Sequence, residues 1–248
     1  FNVDLAAQKY GMKGLPRDSF QTVVDRHRGD RYKKKFLYWD RLRVMVYAQL
    51  AGAGSLRMLK SGFNQHRNHH YNLGCAQVSR TTLSDANRDR NPVIFEEVVR
   101  QLMAQAGQAV RRQRQELLYL LDSTTIGLYG RGQQWAEANA TRTRGLKLHV
   151  QLQHQGKLPV RQTITAANVN DVCEGRQIPL EAGATYVFDK GYCDYVWWHR
   201  IGEAGSRFVT RLKGNAALRV EQTRTLAADA PHITSDAIIS MNRPTSSR

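Results

Sequence analysis

Cysteines are few in this sequence of 248 residues, and long apolar runs are missing. The three cysteines, Cys75, Cys173 and Cys193, are far apart and form no C-x-x-C pair. Their number and spacing argue against a disulfide framework and a zinc knuckle, and they favour reduced thiols in the cytoplasm. No apolar run approaches the roughly 20 residues that span a bilayer, so we expect no membrane-spanning segment.

Acidic side chains are also scarce. The chain has 37 Lys and Arg residues against 21 Asp and Glu residues, which gives a formal net charge of +16. Such an excess indicates a polyanionic partner, and nucleic acid is the commonest one. An anionic membrane surface is the competing interpretation, but the basic residues are scattered rather than gathered on one amphipathic helix.

The N-terminus lacks both an initial methionine and a signal peptide, because the chain begins with Phe1. We interpret this start as that of a fragment of a longer reading frame. Residues 1–35 are polar and basic, with glycines and a proline that interrupt helical patterns. They are predicted to form a solvated, partly ordered arm, and contact with a DNA backbone is the functional alternative.

Helical patterns follow up to residue 110. Residues 36–51 and 56–63 carry apolar side chains at helical spacing, Ser55 and Ser79 are predicted N-caps, and Asn91-Pro92 is a start signal for a long helix. The helix after Ser79 presents Arg80 and Arg88, which suit phosphates and base edges, although many surface helices look alike. The histidines at positions 66, 69 and 70 are expected in an exposed polar loop rather than a metal site.

Two apolar, β-prone runs each end in a single carboxylate. Residues 117–122 read LLYLLD and residues 184–189 read ATYVFD, so Asp122 and Asp189 are placed where buried strands end. If the two strands are neighbours, both carboxylates can bind Mg²⁺ ions that serve phosphoryl transfer. The alternative is that each aspartate only ends a strand or caps a helix.

The pattern from residue 117 predicts an α/β fold of order βββαβαβ. Apolar and polar residues alternate in residues 146–153, which indicates a strand with Lys147 and His149 on its exposed face, and residues 158–166 are its hairpin partner. A helix over 171–182, the strand 184–189, a helix over 195–204 and a strand over 207–212 complete the series. Right-handed crossovers then place the fourth strand beside the first, which is the ribonuclease-H-like mixed sheet.

The sequence resembles transposases of the insertion-sequence-four family, within the group that uses two aspartates and a glutamate (DDE). The resemblance covers nearly the whole chain and depends on a combination of motifs: KYG, RYKKKF, AQLAG, VSRTTLSDAN, LDSTTI, RTRGLKLHVQLQ, TAANVND, VFDKGY and RFVTRLKGN. It implies a helical DNA-binding region over 1–115, a catalytic core over 116–217 and the start of a β-rich insertion over 218–248.

The resemblance also implies cut-and-paste movement of DNA. Asp122 and Asp189 match the first two catalytic carboxylates, which bind two Mg²⁺ (or Mn²⁺) ions. The partners would be double-stranded DNA, as terminal repeats and target, and a second copy of the chain in a homodimer. A bacterial cytoplasmic protein, associated with the nucleoid when bound to DNA, is expected. DNA contacts are predicted at five residues: Lys147, Lys190, Arg80, Arg88 and Arg144.

The third carboxylate of the family pattern has no match. Family members carry the glutamate on a helix near a Tyr, an Arg and a Lys, whereas only Glu203 and Glu221 follow Asp189 here. Since neither fits that setting and the tail ends abruptly, the chain is predicted to be catalytically incomplete. A DNA-binding remnant or inhibitor of transposition is therefore an alternative, and a structure-selective nuclease of the same fold is another.

Overall fold

The computed structural model describes residues 15–65, 70, 76–112, 117–129, 133–214, 216, 218–226 and 233–241. The chain divides into two compact units, residues 1–105 and residues 106–248. The helices that begin in the first unit are α1 (Arg17–Arg26), α2 (Tyr38–Leu50), α3 (Leu56–Gln65), α4 (Arg80–Asp89) and α5 (Val93–Arg112). The finer division into regions 1–115, 116–217 and 218–248 stays a prediction.

Helix α1 lies in the segment that was predicted to be a solvated arm, and the prediction is wrong for this helix, whereas residues 31–35 are exposed. Phe20, Val23 and Val24 have at most 1% of their surface exposed. Their spacing places them on one face of α1, and they pack in a cluster with Tyr38 and Ile94. Burial of this apolar face therefore stabilises α1 within the first unit.

The predicted helix starts after Ser55, Ser79 and Asn91 are confirmed by their capping hydrogen bonds. Met58 N donates to Ser55 Oγ over 3.2 Å, and Thr82 N donates to Ser79 Oγ over 3.0 Å. Val93 N donates to Asn91 Oδ1 over 3.0 Å. In each case the side-chain oxygen satisfies an amide that has no partner inside the helix.

One of the three predicted loop histidines is buried. His70 is 6% exposed, its Nε2 lies 2.7 Å from the carbonyl oxygen of Phe63, and the two rings are 4.7 Å apart. The expectation of an exposed polar side chain is wrong for His70, because a backbone carbonyl satisfies the imidazole inside the unit. His66 and His69 lie outside the described residues.

A five-stranded mixed sheet organises the second unit. Its strands are β1 (Leu118–Gly127), β2 (Gly145–Gln153), β3 (Leu158–Ala166), β4 (Thr185–Phe188) and β5 (Arg207–Thr210). The order across the sheet is β3-β2-β1-β4-β5. The first three strands are antiparallel neighbours, and β4 and β5 are added in parallel. The prediction of a meander with the fourth strand beside the first is confirmed.

Of the two helices between these strands, the first is shorter than predicted and the second has nearly the predicted length. Helix α6 (Asp171–Gly175) ends well before residue 182, and helix α7 (Tyr195–Glu203) has nearly the predicted bounds. Pro179 explains why helix α6 does not continue to residue 182, because a proline disfavours helical backbone at the residue before it. A 3₁₀ turn (Lys190–Tyr192) lies between β4 and α7.

Strand β1 does not end at Asp122, as the sequence had suggested. Its pairing with β2 continues from Asp122 opposite Val150 to Gly127 opposite Gly145. The residues after Asp122 include Thr124, Thr125 and Ile126, which are β-branched and favour strands. Asp122 therefore lies inside a strand, whereas Asp189 directly follows β4 as predicted.

Strand β2 buries the face opposite to the predicted one. His149 and Gln151 are each 6% exposed and Gln153 is 2% exposed, while Leu146, Leu148, Val150 and Leu152 are only half-buried. The polar face can be buried because its side chains find hydrogen-bond partners inside the unit. One example is Gln153, whose Oε1 accepts from Gly156 N.

The core of the second unit lies against β1 and β4. Trp197 and Ile201 of α7 are fully buried, and the Trp197 ring lies 4.8 Å from that of Phe188. Strands β6 (Leu218–Arg224) and β7 (Asp236–Met241) form a separate antiparallel pair. Within the described part of the chain, no helix has the length and apolar character needed to cross a membrane.

Candidate active site

Two exposed aspartates lie on adjacent parallel strands. The register pairs Leu121 of β1 with Phe188 of β4, and these are the residues immediately before Asp122 and Asp189. Leu121 and Phe188 are both 5% exposed, whereas the aspartates after them are exposed. Because successive residues of a strand point to opposite faces, the two buried side chains anchor the strands while Asp122 faces away from the core.

Asp189 is held by the turn that it starts. Gly191 N donates a 2.8 Å hydrogen bond to Asp189 Oδ1, so this carboxylate caps the 3₁₀ turn. A Cβ atom at position 191 would lie 2.9 Å from Asp189 Oδ1 and 2.9 Å from Asp171 Oδ2. The absence of a side chain at Gly191 therefore lets two carboxylates approach the same turn.

Asp171, the first residue of α6, is the functional candidate that sequence reasoning did not single out. Ser123 Oγ donates to Asp171 Oδ1 over 2.8 Å, and Lys147 Nζ donates to the same oxygen over 3.1 Å. The Asp171 side chain is 19% exposed. The only sequence signal was its position in the TAANVND motif, since its partners lie 48 and 24 residues away along the chain.

Lys147 is an internal partner rather than a surface cation. Its side chain is 14% exposed, and its ammonium group also donates to the Val169 carbonyl oxygen over 2.8 Å. The prediction that Lys147 lies on an exposed strand face is wrong, because β2 turns its polar face inward. The ammonium neutralises Asp171 in a setting where an unpaired carboxylate would be costly.

His149 belongs to the same buried group. Its Nε2 lies 2.9 Å from Thr165 Oγ1, and its Nδ1 lies 3.7 Å from Asp171 Oδ1. Burial lowers the pKa of His149 from its ordinary value, although the charges of Asp171 and Glu174 oppose this shift. The prediction that His149 lies on an exposed strand face is wrong, because the structure places its side chain inside the unit.

The pKa of Tyr192 shows that several acidic groups lie near this side chain. Its side chain is buried, and burial is the main cause that raises its pKa. The negative charges of Asp171, Asp122, Asp189 and Glu174 raise it further. Four carboxylates therefore lie close enough to one phenol to raise its pKa, which shows that acidic groups gather around Tyr192 in a basic protein.

The donor set fits a hard divalent cation. Asp122 and Asp189 offer exposed carboxylate oxygens, which Mg²⁺ and Mn²⁺ prefer, and Mg²⁺ is usually held by one or two carboxylates with water completing the shell. Asp171 already uses Oδ1 for Ser123 and Lys147. Among the described residues, no three His, Cys, Asp or Glu side chains are arranged to hold a metal ion together.

The glutamates after Asp189 lie in other settings. Glu203 is the last residue of α7, its side chain is 64% exposed, and its Oε1 is 3.4 Å from His199 Nε2. Glu221 is in β6, where Ser240 Oγ donates to it over 2.6 Å. The partners of these two glutamates therefore lie on α7, β6 and β7, away from the two aspartates.

The other four predicted DNA contacts are exposed cations. Arg88 is bonded to Asp89 and is 3.1 Å from Asp85, and Arg144 donates to the Ala136 carbonyl oxygen over 2.7 Å. Arg80 lies beside Ser55 and Arg57 in an open pocket of about 520 Å³, and Lys190 directly follows Asp189. Contacts of Arg80, Arg88, Arg144 and Lys190 with DNA stay predictions. The predicted contact of Lys147 is also untested, and it would require this lysine to give up its bonds to Asp171 and Val169.

Two protein families match parts of this chain. A model described as "Transposase DDE domain" matches residues 113–243, which is more than half of the chain. A model described as a domain of unknown function (DUF4372) matches residues 11–76. The first match contains β1 to β5 and both exposed aspartates.

One curated relative is the protein named "Putative transposase y4zB" from Sinorhizobium fredii (strain NBRC 101917 / NGR234). It is 45% identical over 144 residues, which cover 58% of this chain and 40% of the relative, so the chain spans about two fifths of the relative's length. A solved structure of the piggyBac transposase synaptic complex with hairpin DNA is 13% identical, with a TM-score of 0.35, over 56% of this chain and 34% of that one. This structural likeness is too low to establish a shared fold. The extent of the family match shows that the chain belongs to the Transposase DDE domain family.

Proposed function

We propose that the chain is part of a DNA transposase that cleaves and joins DNA at the ends of an insertion sequence, with a ribonuclease-H-like catalytic core. The observation that carries this proposal is the pairing of Leu121 with Phe188, which brings the exposed carboxylates of Asp122 and Asp189 to adjacent parallel strands. Membership of the Transposase DDE domain family supports it. The insertion-sequence-four family is the specific family that the sequence motifs favour.

Asp122 and Asp189 are the residues that would hold Mg²⁺ or Mn²⁺ in this proposal. Bound metal ions supply an activated water or hydroxyl and stabilise negative charge at phosphorus, and one site can thereby serve hydrolysis and strand transfer. The chain's own contribution is orientation: the Gly191 amide holds Asp189 Oδ1, and the ladder with β2 fixes the backbone at Asp122. Exposed Lys190 is suited to bind a DNA phosphate beside Asp189.

Double-stranded DNA is the proposed partner, as terminal repeats and as target. The net charge of +16 favours a polyanion. Arg80, Arg88 and Arg144 are exposed enough to reach phosphates, although Arg88 would have to exchange its bonds with Asp85 and Asp89. A homodimer that bridges two element ends is the proposed active assembly.

We further propose that these 248 residues supply two of the three catalytic carboxylates. Glu203 and Glu221 are the glutamates that follow Asp189 in the sequence, and both have other surroundings. The chain alone would then bind element ends without cutting them. This makes a DNA-binding inhibitor of transposition the second candidate function.

The experiment is a paired binding and cleavage assay on plasmid DNA that carries both ends of the element. Purified chain is titrated onto the ends by gel shift at several salt concentrations, and nicking is then followed with Mn²⁺ present. We expect binding that weakens steeply with salt and no cleavage above background. Absence of DNA binding at low salt would contradict the proposed function.

Matched carboxylate variants separate the remaining outcomes. One outcome is cleavage that is lost in Asp122→Asn or Asp189→Asn but unchanged in Glu203→Gln and Glu221→Gln. That outcome would support the two-aspartate site, and it would overturn the proposal that the chain is catalytically incomplete. Cleavage that is lost with Glu203→Gln or Glu221→Gln would identify that residue as the third carboxylate.

A further inference from the structure

Asp171 contacts the immediate surroundings of both exposed aspartates. On β1 its Oδ1 accepts a 2.8 Å hydrogen bond from Ser123, the residue directly after Asp122. On the other side its Oδ2 lies where it would be 2.9 Å from a Cβ at Gly191, within the turn that Asp189 caps. One side chain is thus bonded to the first of the two segments that carry the candidate metal ligands and lies close to the second.

Asp171 contacts β1 on the face of the sheet that bears the Ser123 side chain. Asp122 and Ser123 are consecutive strand residues, so their side chains point to opposite faces of the sheet. Asp122 is exposed, whereas Ser123 is half-buried on the face where Lys147 also contacts Asp171. Asp171 can therefore fix the β1 backbone at Asp122 from the face opposite to the Asp122 side chain.

The charge of Asp171 is balanced locally. Lys147 Nζ lies 3.1 Å from Oδ1, and it is itself fixed by the Val169 carbonyl oxygen at 2.8 Å. His149 Nδ1, which is buried and has no hydrogen-bond partner among the described residues, lies 3.7 Å from the same oxygen. A carboxylate anchored by a lysine and a serine is a rigid support, and such outer contacts set how well metal ligands are oriented.

We propose that Asp171 is a positioning residue, which fixes the separation of Asp122 and Asp189 through Ser123 and the Gly191 turn and so raises the affinity of that pair for a divalent cation. This inference rests on the proposed function, because it takes Asp122 and Asp189 as the metal ligands. Asp171 itself does not bind the metal.

The test is Mn²⁺ binding by the full chain, measured by electron paramagnetic resonance of free and bound Mn²⁺. Asp171→Asn keeps the shape of the side chain and removes the charge that pairs with Lys147. We expect its Mn²⁺ dissociation constant to rise about tenfold or more, the usual cost of losing such an outer contact. Asp122→Asn should abolish the binding at this site altogether.

Asp194→Ala is the matched control for general loss of stability in the same unit. Asp194 Oδ1 accepts from Trp197 N over 2.7 Å and caps α7, so its loss should lower the melting temperature. Its Mn²⁺ dissociation constant should stay within about twofold of the wild-type value, since a structural cap does not orient the ligands. If Asp171→Asn fails to fold, Ser123→Ala tests the same contact, with an expected loss of about fivefold for one hydrogen bond.

The outcomes separate this inference from the function on which it rests. Mn²⁺ binding that responds to Asp122→Asn but not to Asp171→Asn or Ser123→Ala would overturn the role of Asp171 alone. Complete loss of binding in Asp171→Asn would make Asp171 a ligand and also overturn a positioning role. Binding that ignores Asp122→Asn would overturn the proposed metal site and this inference together.

Discussion

The two units of this protein use charged side chains in opposite ways. In the first unit, cations are part of the packing: the Arg90 guanidinium lies 5.1 Å from the Phe36 ring and 5.2 Å from the Tyr38 ring, and Arg41 lies 5.1 Å from the Phe95 ring. Burial lowers the pKa of both arginines. In the second unit, the carboxylates of Asp122 and Asp189 are exposed to solvent near the C-terminal end of β4, and so is the neighbouring Lys190.

Acidic groups show the same contrast. Glu97 in the first unit is buried between helices, where it pairs with Arg26 and accepts a hydrogen bond from His27 over 2.7 Å. The hydrogen bond from His27 is the main cause that lowers the pKa of Glu97. Asp171 in the second unit is also paired with a cation, Lys147, but it lies next to the segments that carry the exposed carboxylates of Asp122 and Asp189. Net charge alone therefore cannot show which charged residues stabilise a unit and which are available to a partner.

The largest expected effect concerns helix α1. Phe20→Ala should lower the free energy of unfolding by about 3–5 kcal/mol, because it removes a fully buried aromatic ring from the core of the first unit. Denaturant unfolding followed by fluorescence and circular dichroism measures this. Exposed Ser19→Ala in the same helix should change stability by less than about 0.5 kcal/mol. Equal losses of stability in the two variants would contradict the buried face of α1 and support the solvated arm that the sequence predicts.

Lys147→Ala should lower the free energy of unfolding by about 1–3 kcal/mol, because it leaves a largely buried Asp171 carboxylate without its cation. The same substitution should leave the salt dependence of DNA binding unchanged. Chemical denaturation and gel-shift titrations over a range of salt concentrations give the two quantities. A Lys147→Ala variant of normal stability and reduced salt dependence would make this lysine a DNA contact after all.

His149→Gln should flatten the acid side of the stability profile. Since burial lowers the pKa of folded His149 below 6.5, the unfolded chain takes up this proton first as the pH falls. Stability should therefore decrease below about pH 6.5, by at most about 1.4 kcal/mol per pH unit for one proton. Melting temperatures between pH 7 and pH 5 test this, with exposed His154→Gln as the control. If the melting temperature of His149→Gln falls with pH as steeply as that of the wild type, His149 does not cause the loss of stability at low pH.

Lys190→Ala should give the smallest effect. Lys190 is exposed beside Asp189, so its removal should not change stability by more than about 0.5 kcal/mol. The slope of log binding constant against log salt should become shallower by about 0.9, the value for one phosphate contact. A slope identical to that of the wild type would remove Lys190 from the DNA surface.

The strand order was accessible from the sequence because each strand is an apolar or β-prone run bounded by turn residues. The placement of Asp189 at the end of β4 followed from the same pattern, and the register with β1 agrees with it. The length of β1 was missed because the Asp-Ser-Thr-Thr segment was interpreted as a strand end. Its ladder with β2, which continues to Gly127 opposite Gly145, is a long-range feature.

The buried polar contacts around Asp171 could not be predicted from the sequence. Alternating polarity in β2 predicted an exposed face for Lys147 and His149, since hydropathy takes no account of partners that satisfy buried polar groups. Those partners include Asp171 and Thr165, which come from later segments of the chain. Asp171 was missed for the same reason: its role depends on contacts with Ser123 and the Gly191 turn, which only the folded sheet creates.

The central claim, that Asp122 and Asp189 form one divalent-metal site, is tested most directly by counting Mn²⁺ ions bound per chain. The account predicts that the wild-type chain binds Mn²⁺ and that an Asp122→Asn/Asp189→Asn double variant loses this binding while it keeps its fold. A Glu203→Gln/Glu221→Gln double variant should bind Mn²⁺ as the wild type does. Equal Mn²⁺ binding by the wild-type chain and the double-aspartate variant would contradict the account.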